Sequence, residues 1–256
     1  MKKNKPLILV VNDDGIESVG IRVLISVMRS IGDVYVVAPD SNRSGASHSM
    51  TLHKEIVIKN IDKQQYEFTC SGTPVDCVKV AFNKILPRKP DLCVSGINHG
   101  SNHSINSLYS GTLHAAMEAT IQGVSSIAFS HLSYDQKTDL TEFSSFIKRI
   151  SELLIANKLP SEITLNINFP DVPYNDIRGV RLCNQGKGSW TEIFTSTYSS
   201  DLQTNYLLSG HFNDDNSDIK TDSWALSNQF ISIVPVHLNC ADPSIMNTLK
   251  YLENAF

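Results

Sequence analysis

Residues 7–11 form an unbroken, β-branched-rich apolar run, the pattern of a strand covered on both faces, and the run stops abruptly at Asn12-Asp13-Asp14-Gly15. Val19, Val23, Leu24, Val27, Met28 and Ile31 then recur at helical spacing, Gly32-Asp33 closes that helix, and a second apolar run follows at 34–38. Strand, helix and strand in this order predict a βαβ unit and hence a parallel sheet. Short strands are expected at 55–58 and 66–70, on either side of a turn at 60–63. Thr73-Pro74 predicts an N-cap with proline at the first helical position, and Val75, Val78, Phe82 and Ile85 carry the inward face until Pro87. The alternation continues with a strand at 92–95, a helix at about 112–122, a strand at 126–130, a helix around 141–157 and a strand at 163–168.

Beyond Pro170 the pattern becomes alternating and turn-rich, which predicts strands and hairpins at 180–183, 190–198, 206–208 and 230–236. Asp242-Pro243 is expected to cap a final helix whose Ile245, Met246, Leu249 and Leu252 would pack on the body or on a partner subunit. The fold class expected is α/β, doubly wound in its first two-thirds, as one domain. Its core would run over about 1–170 with 229–241, followed outward by an extension at about 180–228 and a C-terminal helix at about 242–254. There are no internal repeats or low-complexity tracts.

Composition narrows the function without naming it. With 256 residues, 41% of them hydrophobic, the chain can bury a substantial core. Its five cysteines show no C-x-x-C pair and mostly sit in apolar runs, so a reducing, cytoplasmic setting is expected. The basic opening at residues 1–6 leads into an apolar run too short for a signal peptide or a membrane span. A formal charge of −4 and a pI near 6.0 argue against an extended nucleic-acid surface. A small anionic substrate remains open if a metal supplies positive charge.

Candidate chemistry collects where an open parallel sheet places it, in the loops after the strands. The first strand ends in Asp13-Asp14, the second leads into Asp40-Ser41-Asn42-Arg43-Ser44-Gly45, and the third ends in Ser95-Gly96-Ile97-Asn98-His99-Gly100-Ser101-Asn102. Two adjacent carboxylates raise each other's pKa unless a cation neutralises them. With a serine hydroxyl and an asparagine carbonyl the donor set is all oxygen, which suits Mg²⁺ or Mn²⁺. A turn plus helix cap accounts for Asp13-Asp14-Gly15 equally well. Tyr109-Ser110-Gly111-Thr112 precedes a helical pattern, where backbone N–H groups and hydroxyls can cradle a phosphate or simply cap the helix. The eight histidines lack zinc-site spacing; His48 and His103 are candidates for the crevice as proton donors, with a surface or supporting role as the equal alternative.

Five motifs in order, V-N-D-D-G-I at 11–16, V-V-A-P-D-S-N-R-S-G at 36–45, S-G-T-P-V-D-C-V at 71–78, V-S-G-I-N-H-G-S-N at 94–102 and Y-S-G-T at 109–112, resemble the SurE family of survival-protein nucleotidases. The resemblance covers the first half of the chain closely and the rest loosely. It implies a Rossmann-like α/β/α sandwich with a C-terminal extension used for oligomerisation as a homodimer or homotetramer. It also implies one divalent ion per subunit, Mg²⁺ or Mn²⁺, and hydrolysis of nucleoside 5′- and 3′-monophosphates, with short polyphosphate as a further substrate. By motif position Asp13, Asp14, Ser44 and Asn98 match the family's metal ligands. Gly45, Asn102, Ser110, Gly111 and Thr112 match residues around the phosphate. His103, Ser104, His114 and Val234 depart from the family pattern.

Asp13 and Asp14 are the expected catalytic residues, with water as the attacking group and an aspartyl-phosphate on Asp13 as the competing route. A nicotinamide dehydrogenase would need G-x-G-x-x-G where Asn12-Asp13-Asp14-Gly15 stands. A receiver domain would need an acceptor aspartate where Ser95-Gly96 stands. A non-catalytic nucleotide-binding or stress-sensor protein using the same crevice is the remaining alternative.

Overall fold

The computed structural model describes residues 5–200 and 202–255. Most of the basic opening, residues 1–4, lies outside them. The chain runs β1 (Leu7–Val11), α1 (Val19–Arg29), β2 (Asp33–Pro39), β3 (Ile58–Asp62), β4 (Glu67–Cys70), α2 (Pro74–Val80), β5 (Leu92–His99), α3 (Gly111–Ile121), β6 (Ser126–His131), α4 (Ser144–Ala156), β7 (Ile163–Phe169), β8 (Gly179–Leu182), β9 (Ser189–Ser199), β10 (Thr204–Asn213), α5 (Asp222–Ser227) and β11 (Phe230–His237). Nine strands form one sheet in the order β3-β4-β2-β1-β5-β6-β7-β11-β8, and β9 and β10 pair as a separate antiparallel ribbon.

The central strands β4, β2, β1, β5, β6 and β7 are all parallel, and β1 and β2 carry the continuous apolar runs of strands covered on both faces. Alternation within each run divides the core in two. Ile8 and Val10 face one layer with Ile21, Leu24 and Met28 of α1 and Ile147 of α4. Leu9 and Val11 face the other with Cys77 and Val78 of α2 and Ala115 and Ala119 of α3. Helices therefore cover both faces of the sheet, which makes the fold a Rossmann-like α/β/α sandwich.

Local signals explain several boundaries. Thr73 caps α2 by accepting from the Asp76 N–H (3.1 Å), while the Asp76 carboxylate accepts from the Thr73 N–H (2.8 Å), and Pro74 opens the helix. α2 then widens into a π-turn at Ala81–Ile85.

The first short strand of the expected pair lies later than its apolar residues suggest. β3 occupies Ile58–Asp62, not 55–58, and the expected turn at 60–63 falls largely within it. β3 is an exposed edge strand, so a hydrophobic pattern does not mark it; the turn is set by Asp62, whose carboxylate accepts from the N–H groups of Gln64 (2.9 Å) and Gln65 (3.0 Å).

β5 continues past residue 95 to His99, with a register shift against β6 between Ser95 and Asn98. β10 spans ten residues instead of the three at 206–208. α5 was not legible from periodicity, being only six residues long and held by the Thr221 cap. The expected final helix at 242–254 is not one α-helix: only two 3₁₀ turns form, at Pro243–Ile245 and Lys250–Ala255, and Ile245, Met246, Leu249 and Leu252 are exposed. With no packed surface beneath it, a short amphipathic segment has nothing to stabilise a full helix.

No helix among the described residues is long and apolar enough to cross a membrane.

Candidate active site

The sheet changes winding direction between β1 and β5, since the chain first builds outward through β2 and β4 and then returns to add β5 on the other side of β1. Loops from both halves splay apart at the carboxyl ends of these two strands and leave a crevice. A cavity of about 790 Å³ opens there. Asp13, Asp14, Ser44, Gly45, Asn98, Asn102 and Ser110 all line it. Seven of the nine residues singled out in the sequence thus converge on one space, although they span almost a hundred positions.

Asp13 sits at the floor, 3% exposed. Burial, reinforced by the neighbouring charge of Asp14, raises its carboxyl to about 6, against the pull of the Thr112 hydroxyl and N–H. Asp14 is also raised, chiefly by burial. Its Oδ2 is buried without a hydrogen-bond partner among the described residues. The adjacent Asn12 donates to the Gly15 carbonyl and the Ser18 hydroxyl, both at 2.9 Å, so it closes the turn that leaves the aspartates facing the crevice.

The loop after β2 docks on this floor through the Arg43 N–H, which donates to the Asp13 carbonyl at 2.7 Å. Asn42 accepts from the Ser44 N–H at 2.7 Å, which sets the bend at Ser44-Gly45. At the end of β5 the Asn98 amide nitrogen donates to the Gly100 carbonyl at 2.6 Å. Its carbonyl oxygen has no protein partner among the described residues. The register shift before Asn98 is the kind of irregularity that re-aims a side chain at the end of a strand.

Gly111 and Thr112 do not line the cavity; they stand behind Asp13. Thr112 is fully buried and donates its hydroxyl to Asp13 Oδ1. A side-chain carbon on Gly111 would lie 2.8 Å from Asp13 Oδ2 and 2.9 Å from its Cβ, so only glycine lets α3 approach this closely. The Ser110 hydroxyl accepts from the Leu113 N–H at 2.9 Å and is a helix cap. Its cap role and its place on the cavity wall are both present, because the cap aims the N-terminus of α3 at the crevice.

Three residues that sequence reasoning did not single out hold the Asn102 loop. Asn168 accepts from the Asn102 N–H, Asn166 donates to the Asn102 carbonyl, and Ser130 accepts from the Asn102 amide, each at 2.8 Å. The signal was available in I-T-L-N-I-N-F at 163–169, where two buried asparagines interrupt a strand. Asp222 adds a second anchor, accepting from the N–H groups of Ser104 (2.9 Å) and Gly186 (2.7 Å). Of the two histidines placed near the crevice, His48 reaches Glu118 at 3.3 Å and His103 reaches Asp214 at 2.8 Å; neither lines the cavity.

Among the described residues no cluster of three His, Cys, Asp or Glu stands ready for a metal. A cation here would rest on two carboxylates and neutral oxygens, the hard donor set that Mg²⁺ and Mn²⁺ accept. The unpartnered Asp14 oxygen and the mutual repulsion of the aspartates fit such an ion.

Fold and crevice together define a Rossmann-like α/β protein with an acidic, oxygen-lined pocket at the switch point of its sheet. Comparison with known proteins narrows this class. The profile of the family "Survival protein SurE" matches residues 8–192, and the chain belongs to that family. It is 47% identical to a protein named 5′-nucleotidase SurE from Flavobacterium johnsoniae over 253 residues, 98% of each chain. It is 44% identical to one of the same name from Cytophaga hutchinsonii, covering 96% of each. The crystal structure of the SurE protein from Aquifex aeolicus, 36% identical, superposes with a TM-score of 0.84 over 97% of this chain and 100% of that one.

Proposed function

We propose that the protein is a divalent-metal-dependent phosphomonoesterase that hydrolyses nucleoside 5′- and 3′-monophosphates to nucleoside and phosphate, with short polyphosphate as a further substrate. Relatives named 5′-nucleotidase SurE support the nucleotide substrate. The observation that carries the chemistry is the adjacent pair of buried Asp13 and half-buried Asp14, with one Asp14 carboxylate oxygen left unpartnered, in a cavity that Ser44 and Asn98 also line.

Asp13, Asp14, Ser44 and Asn98 would hold one Mg²⁺ or Mn²⁺ per subunit. Such an ion neutralises phosphate charge and acidifies a water molecule. Burial holds the Asp13 carboxyl near 6 without the ion; a bound cation would favour its ionised form, leaving Asp13 as a carboxylate that orients or deprotonates the attacking water. Its burial and its engagement by Thr112 favour proton transfer over covalent attack. The N-terminus of α3 at Ser110–Thr112 and the braced Asn102 would receive the phosphate and stabilise the charge that develops on it. Gly111 and Thr112 would also set the position of Asp13.

The uncovered apolar side chains Ile193, Phe194, Tyr206 and Leu207 of the β9–β10 ribbon support assembly as a homodimer or homotetramer, because an isolated two-stranded ribbon is marginal by itself. The five unpaired cysteines support a cytoplasmic location.

The test is phosphate release from 5′- and 3′-nucleoside monophosphates and short polyphosphate, in EDTA and after Mn²⁺ or Mg²⁺ is restored. Release that returns with metal supports the proposal. No release with any metal would leave a binding or sensor protein.

A further inference from the structure

The cavity is larger than a phosphate requires, and its outer wall is aromatic. At about 790 Å³ it falls in the range of small-molecule pockets. Trp190, from β9, and Tyr134, from the loop after β6, both line it and remain 40% and 70% exposed. Neither ring is part of the core.

Both rings are nevertheless held in place. The Trp190 indole N–H donates to Asn106 Oδ1 at 2.8 Å. Phe212, its cross-strand partner on β10, packs at 5.6 Å between centroids and a 48° tilt. Phe212 in turn meets His103 edge-on at 5.5 Å, and His103 is tied to Asp214. The polar edge and part of one face of the indole are therefore committed, and apolar ring surface is left on the cavity side. Tyr134 is seated against Gly100, where a side-chain carbon would lie 2.4 Å from the Tyr134 Cε1.

The placement relative to the phosphate end is also suitable. Asn106, which holds Trp190, lies four residues after Asn102, on the 3₁₀ turn Ser104–Tyr109. One loop thus holds both the phosphate end and the aromatic wall of the same cavity.

We infer that Trp190 and Tyr134 form a stacking platform for the nucleobase, so that the pocket selects nucleoside monophosphates, purines above all, over base-free sugar phosphates. The inference rests on the nucleotidase reading and specifies what it recognises. Every base has a π-face that an indole or phenol can cover, and the larger purine covers more of it. Because stacking is made equally in the ground state and the transition state, it acts on KM and not on kcat.

Two measurements test this. The first compares kcat/KM for AMP with that for ribose 5-phosphate. The ratio should fall about tenfold in Trp190→Ala and in Tyr134→Ala, through KM, and recover in part in Trp190→Phe. An unchanged ratio in both alanine variants overturns the platform and leaves the nucleotidase reading standing.

The second adds adenosine, which has no phosphate, to metal-free protein and follows tryptophan emission. Quenching should occur in the wild type and vanish in Trp190→Phe, whose remaining Trp224 stacks on Phe230 away from the cavity. If no ester yields phosphate, the nucleotidase reading fails, and this measurement alone decides the platform: Trp190-dependent quenching upholds it and its absence overturns it.

Discussion

Asp13→Asn should make the metal-free protein more stable at alkaline pH while abolishing its metal-dependent activity. Burial holds the Asp13 carboxyl at about 6 in the folded chain against an ordinary value of 3.8. Below the ordinary value both states are protonated and folding carries no penalty. Above about 6 the folded state must hold a carboxylate that its surroundings disfavour, so stability is lost as pH rises through that interval. A shift of about two units at 1.36 kcal/mol each comes to about 3 kcal/mol when fully developed. Asparagine removes the charge and keeps the shape, yet its amide nitrogen cannot accept the Thr112 N–H, which costs about 1 kcal/mol.

The variant should therefore gain about 2 kcal/mol at pH 8 and less than about 1 kcal/mol at pH 5. Urea denaturation of both proteins in EDTA at the two pH values measures this difference. Added Mn²⁺ should reverse the order, because binding to the native state stabilises the wild type and not the variant. A variant no more stable than wild type at pH 8, or an advantage that does not shrink toward pH 5, would refute the account of Asp13 as a desolvated, cation-seeking carboxylate.

Thr112→Val should raise the Asp13 carboxyl of the metal-free protein further, since the lost hydroxyl was lowering it, and the loss of stability with rising pH, read by urea denaturation in EDTA, should extend to higher pH than in wild type. Gly111→Ala should push the Asp13 carboxylate aside and weaken Mn²⁺ binding by roughly tenfold or more in calorimetric titration, an effect on the order of 1.4 kcal/mol. Glu118 is buried beside Lys79 (2.8 Å) and His48 and its carboxyl is lowered to about 2 despite its burial, because these partners hold the charged form. Its stabilising contribution is present above the ordinary value of 4.5 and is lost as pH falls toward 2. Glu118→Gln should therefore cost about 1–3 kcal/mol in urea denaturation at pH 7, and the difference should close in acid. Ile193→Glu combined with Leu207→Glu places charge on the ribbon face that alternates away from Trp190 and Glu192, and should yield a smaller species by sedimentation velocity; unchanged sedimentation would argue against the ribbon as the subunit contact.

The sequence by itself determined the layered fold and the place where chemistry collects. Continuous apolar runs such as 7–11 and 34–38 read as strands covered on both faces. Their alternation with helical periodicity leaves a doubly wound parallel sheet as the economical way to cover them. Once that sheet is inferred, Asp13, Asp14, Asn98 and Asn102 must lie at strand ends on one edge, because loops after parallel strands emerge on the same side. The six-residue α5, the exposed edge strand β3 and the two 3₁₀ turns near the C-terminus were not legible, because none has enough periodic apolar positions to outweigh local turn chemistry.

Only the tertiary structure decided what each site residue touches. Thr112 faces Asp13 instead of the cavity, Asn166 and Asn168 of β7 brace a loop more than sixty residues away, and the β9–β10 ribbon brings Trp190 to the same cavity as Asp14. These contacts depend on the depth of α3 against β1 and on the register of the ribbon. Close packing sets both of them across residues far apart in the chain, where no local pattern can record them.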